Sequence, residues 1–433
     1  MLQALWAIPV VVFFNYIIGK RNFFYHRRVH PLLFSLAFNL KVITGIILTL
    51  IYTYYYTDRS TADIFKYFDD SKIMYDLCWV DFKLFIKMFF GFADSALSPY
   101  YNKMISWDDS DLVYNDNRLM IKLNCLLRFI SFGNYYIHVT VISFIVFIGL
   151  TCFFKLFAFE LKGKYIGIYL CSFFIPSVVF WTSAVLKDSV IIFALATFLF
   201  NYNKLLNNSA TIKNYIFLAV SISLLLTIKL YVFTLILPGL VLVTLIKRKV
   251  LTRINSLLIW CTCYCVYAII LFSLKYFTPY NIVEQIALKQ HQFLKLAFQV
   301  NSGSILKSHE LSTSLSIIRS APLAFCNTLF QPYFWNAKSM VIALAGVENL
   351  LCILVIIFVA CHIKWRNSLA TPWFFFALFF VLSLYTLIGL IVPVAGALVR
   401  YKTIAMPFFA IILLILVDTE KIKRKVDKLK RRS

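Results

Sequence analysis

The chain has 433 residues, 61% of them hydrophobic and 14% charged, with a mean hydropathy of +0.81, well above the roughly 45 to 50% apolar usage of soluble domains. A water-soluble globule is excluded, because even a large domain leaves about a quarter of its unfolded-chain surface exposed. The net charge of +24, from 43 Lys and Arg against 19 Asp and Glu, would suggest nucleic acid in a soluble protein. In a membrane protein, topology accounts for it, and no nucleic-acid partner is expected.

Long apolar runs predict an all-α, polytopic transmembrane helical bundle of about 11 spans, since ~20 helical residues cross a ~30 Å hydrocarbon layer. In chain order they fall near 3–19, 31–56, 135–158, 165–184, 188–203, 214–229, 231–246, 255–274, 340–361, 371–391 and 403–418. A β-barrel is disfavoured because runs such as 142–154 and 404–417 do not alternate. The first run is read as a retained helix rather than a signal peptide, since residues 1–10 carry no Lys or Arg and no small-residue cleavage site follows. With no internal repeat and no Gly/Ser linker, residues 1–433 read as a single integral membrane domain. Two long loops interrupt it, 57–134 and 275–339, and a basic tail ends it at 419–433.

Orientation follows from the basic residues. Lys20, Arg21, Arg27, Arg28, Lys162, Lys164, Lys204, Lys213, Lys247, Arg248, Lys249, Arg253, Lys364, Arg366 and eight in the tail make 22 of the 43. They lie in alternate loops, which the positive-inside rule assigns to the cytoplasm. The N-terminus is then outside, the C-terminus is cytoplasmic, and both long loops face outward. Most of the ten cysteines are apolar filler in spans. Cys261, Cys263 and Cys265 cannot converge on one metal, because two helical steps turn ~200°. Cys78, Cys125 and Cys326 lie on the expected outer side, where a pair could be bridged.

Eleven of the 19 carboxylates, all Asp, fall within 57–134. Ile64, Phe65, Phe68, Met74 and Leu77, then Leu84, Phe85, Met88 and Phe89, have amphipathic spacing, which predicts short interfacial helices over the bundle mouth. The stretch Ser106 to Asn117, with Asp108, Asp109 and Asp111, reads as a solvated turn; it lacks the Gly and Glu of a calcium loop. The sharper candidate is Thr61-Ala62-Asp63-Ile64-Phe65-Lys66-Tyr67-Phe68-Asp69-Asp70. A helix starting at Thr61 or Asp63 puts Tyr67 one turn above Asp63 on the same face. The competing explanation is an N-cap carboxylate with an interfacial tyrosine.

Polar groups at helix ends supply two more candidates. Pro176 to Ser189 joins two spans with almost no loop and holds Lys187 and Asp188, which point ~100° apart and so call for separate partners; the alternative is an ordinary hairpin with its charges in water. Arg400, Tyr401 and Lys402, followed by Pro407, sit at an expected outer end, against the positive-inside bias. Arg and Lys there can bind phosphate, joined by Arg319, Lys338 and Lys229, although snorkelling accounts for many such residues.

These residues together resemble the GT-C superfamily of polytopic glycosyltransferases, which use polyprenyl-phosphate-linked donors. The likeness rests on a large first outer loop with interfacial helices and an Asp near its start. The Pro176-Ser177 to Lys187-Asp188 hairpin and Arg400-Tyr401 with Pro407 resemble motifs of bacterial surface-polysaccharide membrane proteins, including oligosaccharide-repeat polymerases. This chain departs from the GT-C pattern in having an extra span before the loop. The resemblance implies a transferase on the outer face of the bacterial cytoplasmic (inner) membrane, acting in cell-surface polysaccharide or glycoconjugate assembly. Its partners would be membrane lipid, a polyprenyl-linked sugar and a glycan or protein acceptor. Asp63 would be the base, with Asp69 or Asp70 as substitutes. Arg400 and Lys402 would hold the phosphate, Lys187 and Asp188 would set the sugar site, and Tyr67, Trp181 and Tyr401 would stack on sugar. No cofactor is identified; a divalent metal would suit the many carboxylates, but no ligands stand out.

An oligosaccharide-repeat (O-antigen-type) polymerase is the nearest alternative, relying more on outer arginines. A flippase or transporter should show internal repeats and broken midplane helices and more intramembrane acids than Asp188 and Glu348. A purely structural subunit leaves the charged outer ends unexplained.

Overall fold

The structure, a computed structural model, describes residues 2–56, 59, 62–107, 116–251, 257–299, 304–363 and 371–418. Thr61, Asp58, Asp108, Asp109, Asp111, Arg253, Lys364, Arg366 and the 419–433 tail lie outside them. The main helices are α1 (Ile8–Lys20), α2 (Pro31–Tyr54), α3 (Asp63–Val80), α4 (Phe82–Phe90), α5 (Asn117–Ser131), α6 (Tyr135–Glu160), α7 (Tyr165–Phe173), α8 (Pro176–Trp181) and α9 (Lys187–Leu206). They continue as α10 (Ile212–Ile228), α11 (Leu230–Lys247), α12 (Leu257–Phe277), α13 (Ile282–Gln299), α14 (Ser314–Phe330), α15 (Met340–Cys361), α16 (Pro372–Ile391), α17 (Ala395–Lys402) and α18 (Met406–Leu416). Among the described residues there is no strand, only isolated bridges.

Among the described residues, eight helices are long and apolar enough to cross a bilayer, and nine if the α17–α18 pair, bent by 65°, is one span. Three expected spans depart from a straight crossing. The 165–184 run breaks between α7 and α8, where Pro176 disfavours helix at the residue before it and starts the next one. The 214–229 run becomes α10, whose 17 residues fall just short, and 403–418 becomes the second arm of the bent pair. Helices α12 and α15 are only 6% and 11% buried over their most apolar windows. Apolar faces so bare are stable in lipid, not in water.

The chain divides into two compact units: residues 1–159, 172–174 and 178–230, and residues 160–171, 175–177 and 231–433. In unit 1, α6 is the central helix, with Phe147, Phe153, Phe154 and Phe157 fully buried. Glycines let its neighbours close in. A Cβ on Gly149 would sit 2.6 Å from Phe193 Cα in α9, and one on Gly45 of α2 would run into the Ser183 carbonyl.

Within 57–134 the described residues form α3 and α4, where amphipathic spacing predicts short helices, and a further helix, α5, which that spacing does not single out. Asp81 caps α4 by accepting from Leu84 N at 2.9 Å, and Gly91 ends it at φ +81°, a conformation glycine adopts without a Cβ clash. Leu84, Phe85 and Met88 are buried while Phe82 and Phe90 are exposed. Between α3 and α5, Arg128 lies 3.9 Å over the Phe68 ring, donates to Ser71 Oγ at 2.8 Å and to the Phe68 carbonyl at 2.5 Å.

In unit 2, α16 is the central helix, with Phe376, Phe380 and Tyr385 buried. A side chain at Gly389 would run into the Ala324 carbonyl of α14, and Thr328 donates to the Tyr385 carbonyl at 2.8 Å. All ten cysteines are free, so Cys78, Cys125 and Cys326 carry no bridge.

Candidate functional site

Three helix starts in unit 1 meet around one tyrosine. Ala62 caps α3 without a side-chain bond, so Asp63 is in the first turn rather than at the cap, where its charge suits the positive end of the helix dipole. Asp63 Oδ1 pairs with Lys66 Nζ at 2.7 Å. The Tyr67 ring, 1% exposed, lies 5.3 Å from Lys66 Nζ and 5.4 Å from Lys187 Nζ. Lys187 begins α9 and reaches Asp116 Oδ1 and Asn117 Oδ1, both at 2.6 Å, where α5 begins. The end of the stretch read as a solvated turn is therefore enclosed: Asn117 is buried and the Asp116 side chain is 16% exposed.

Asp69 and Asp70 belong to the same helix but not to this cluster. Asp69 is held by Arg59 through paired bonds of 2.7 Å, both side chains well exposed. Asp70 is buried and accepts the Ile105 and Ser106 N–H groups at 3.0 and 2.7 Å. Burial pushes its carboxyl above the ordinary range, and the two N–H donors oppose that rise.

Lys187 and Asp188 do have separate partners. Asp188, 1% exposed, pairs with Lys229 at 2.7 Å, so it is tied into the packing and not solvated. Trp181 is buried and edge-on to Phe180 at 5.1 Å, with no open face for a sugar.

The remaining candidates are in unit 2. Arg319 is exposed on α14, Arg400 is half-buried on α17, and Tyr401 lies edge-on to Phe293 at 5.6 Å. Lys402 is buried and donates to Asn349 Oδ1 at 2.6 Å, the Gln331 carbonyl at 3.1 Å and the Thr328 carbonyl at 3.4 Å. An ammonium has three donors, so those of Lys402 are all engaged by the protein. Nearby on α15, Glu348 accepts from Ser177 Oγ at 2.9 Å and Ser177 N at 3.2 Å.

Several polar groups escape a reading by sequence. Lys66 has a local signal, the i,i+3 spacing from Asp63. Asp116-Asn117 has another, an Asx pair just before an apolar periodic run. Lys41 has none: it lies within the apolar run of α2, and donates to Thr182 Oγ1 at 2.5 Å and Ser183 Oγ at 3.3 Å. His138 has none either; it bridges Asn124 Oδ1 at 2.9 Å and Ser131 Oγ at 2.7 Å, clamping α5 to α6. Among the described residues no group of three or more His, Cys, Asp or Glu side chains could hold a metal.

The fold defines an all-α protein with membrane-length helices and a charged cluster in unit 1. No protein-family model, curated protein or solved structure matches the chain.

Proposed function

We propose that the protein is a membrane glycosyltransferase of the GT-C type, taking a polyprenyl-phosphate-linked sugar on the outer face of the bacterial cytoplasmic membrane. The supporting observation is the meeting of Asp63, Lys66, Asp116 and Lys187 around Tyr67 at three helix starts. Helix N-termini favour anions, and two ammonium groups add full charges, so a glycosyl phosphate suits the cluster once it displaces Asp116 from Lys187. Asp63 takes the proton of the acceptor hydroxyl, whose oxygen attacks the anomeric carbon. The carbon–oxygen bond to phosphate breaks, and the phosphate leaves with the electron pair, stabilised by Lys66 and Lys187. Tyr67 supports both lysines through its ring face. Its burial gives it this role in place of sugar stacking. The positive-inside bias supports eleven crossings with the 57–134 loop outside.

The test is to incubate the purified chain in nanodiscs with radiolabelled polyprenyl-phosphate and polyprenyl-diphosphate sugars. Sugar transfer or release is expected, falling about 100-fold or more in Asp63→Asn. No turnover of any donor overturns the enzymatic reading. A tolerant Asp63→Asn with a dead Arg400→Ala assigns the chain to the oligosaccharide-repeat polymerase class instead.

A further inference from the structure

A second cluster, independent of the Tyr67 site, forms where α6 and α9 end. The two helices run parallel in register: Gly149 meets Phe193, and Cys152 meets Thr197. The next turn sets Lys155 opposite the level of Phe200. Lys204 folds back one turn, its Nζ 5.0 Å over the Phe200 ring. The two ammonium groups are thus brought to one level, within electrostatic reach of each other and of the Cys152 thiol. The 21–30 connection closes the other side. Phe23 lies 4.8 Å beneath Lys155 Nζ, and the His26 ring stands edge-on to Phe154 at 5.3 Å. Arg28 N–H donates to His26 Nδ1 at 3.3 Å, which leaves the ring proton on Nε2.

All three side chains are half-buried, and among the described residues neither lysine has a carboxylate partner. The carboxylates on the same two helices are engaged elsewhere: Glu160 with Lys247 at 2.6 Å, and Asp188, at the opposite end of α9, with Lys229 at 2.7 Å. The other charges at this end of the packed elements, Lys20, Arg21, Arg27, Arg28 and Lys213, are all positive. Topology alone explains basic residues in loops. It does not explain two half-buried lysines that lie over aromatic rings within electrostatic reach of each other, since like charges so placed repel unless an anion joins them.

We propose that Lys155, Lys204 and His26 form a binding site for a phosphate-type anion, supplied either by a lipid headgroup or by a soluble phosphate compound. The two ammonium groups neutralise the anion and the imidazole Nε2–H donates to it. The ring faces of Phe23 and Phe200 hold the lysines in place before the ligand arrives.

The experiment uses the full chain in nanodiscs of phosphatidylcholine alone or with phosphatidylglycerol, with native mass spectrometry counting retained lipids. In phosphatidylglycerol discs the wild type is expected to retain an anionic lipid, and Lys155→Gln/Lys204→Gln to lose affinity roughly tenfold or more. Lys155→Arg/Lys204→Arg should keep it, showing that the variants fold. Thermal stabilisation in phosphatidylcholine discs by millimolar pyrophosphate, abolished by the same double Gln variant, assigns a soluble source. Equal behaviour of wild type and double Gln variant towards both anions overturns the site, as does an equal loss in the exposed-charge control Lys213→Gln.

Discussion

Lys187 Nζ lies 2.6 Å from Asp116 Oδ1 and 5.4 Å from the Tyr67 ring, so the first residue of a membrane-length helix is tied to two segments far away in the chain. The pair is mostly shielded, at 15% and 16% side-chain exposure. Breaking one side of such a pair leaves the other charge uncompensated.

Lys187→Met should therefore lower stability by about 2 kcal/mol, a value at the lower side for buried pairs because some solvent reaches this one. Thermal unfolding in detergent measures it. The double variant Lys187→Met/Asp116→Leu should regain most of the loss; a double variant as unstable as the single one would show that the charge pair is not what matters.

The Asp188–Lys229 pair is more deeply enclosed, with Asp188 at 1% exposure. Lys229→Met should cost about 3 to 5 kcal/mol, more than Lys187→Met on the same unfolding assay. The reverse order of the two variants would contradict the burial.

Asp70 predicts a pH dependence. Its folded-state pKa is raised by burial above the ordinary value of about 3.9, so the folded protein keeps that proton longer than the unfolded chain. The resulting stability is fully present below the unfolded pKa and is lost as pH rises through the folded one. Melting temperatures of wild type and Asp70→Asn, compared from pH 3.5 upward, should show the wild type losing ground to the variant just above pH 4. A wild type that gains on the variant over that window would refute this assignment.

Gly45→Ala places a methyl group against the Ser183 carbonyl and Val139. Overpacking of this kind costs about 1 to 3 kcal/mol. Gly19→Ala, where nothing lies within 4 Å, should be near neutral or stabilising by helix propensity. Equal melting temperatures for the two variants would mean that α2 does not approach Ser183 this closely.

Cys125 is buried, and burial pushes its thiol up to about 12. The thiolate is the reactive form. Iodoacetamide at pH 8 should leave Cys125 unmodified in the folded protein and label it after unfolding, as read by peptide mass spectrometry. Rapid labelling in the native state would place Cys125 outside the α3–α5 core.

Hydropathy and spacing carry much of this protein without help. Apolar runs of helix length determine an all-α chain, because a backbone in lipid has to satisfy its own hydrogen bonds. The amphipathic spacing of Ile64 to Leu77 and of Leu84 to Phe89 determines α3 and α4, because it concerns neighbours on one helix. The break at Pro176 is a local effect too, legible from proline geometry, although hydropathy alone reads 165–184 as one continuous span. Asp63, Tyr67 and Lys187 are legible as unusual polar groups in apolar surroundings, while Asp69, Asp70 and Trp181 look just as promising until their partners are seen.

Partnership is what only the tertiary structure decided. Whether a carboxylate is a helix-end charge, a buried acceptor like Asp70 or the counter-ion of a lysine depends on groups tens of residues away, which no local period encodes. Lys41 and His138 sit in runs that look uniformly apolar, and their hydroxyl and amide partners come from other helices. Lys402 looks in sequence like a phosphate ligand, yet its donors turn to Asn349 and two backbone carbonyls. The excess of positive charge splits in the same way. Basic residues clustered in loops are visible in the sequence, but the approach of Lys155 to Lys204 exists only because α6 and α9 pack in parallel, with Gly149 small enough to let them touch.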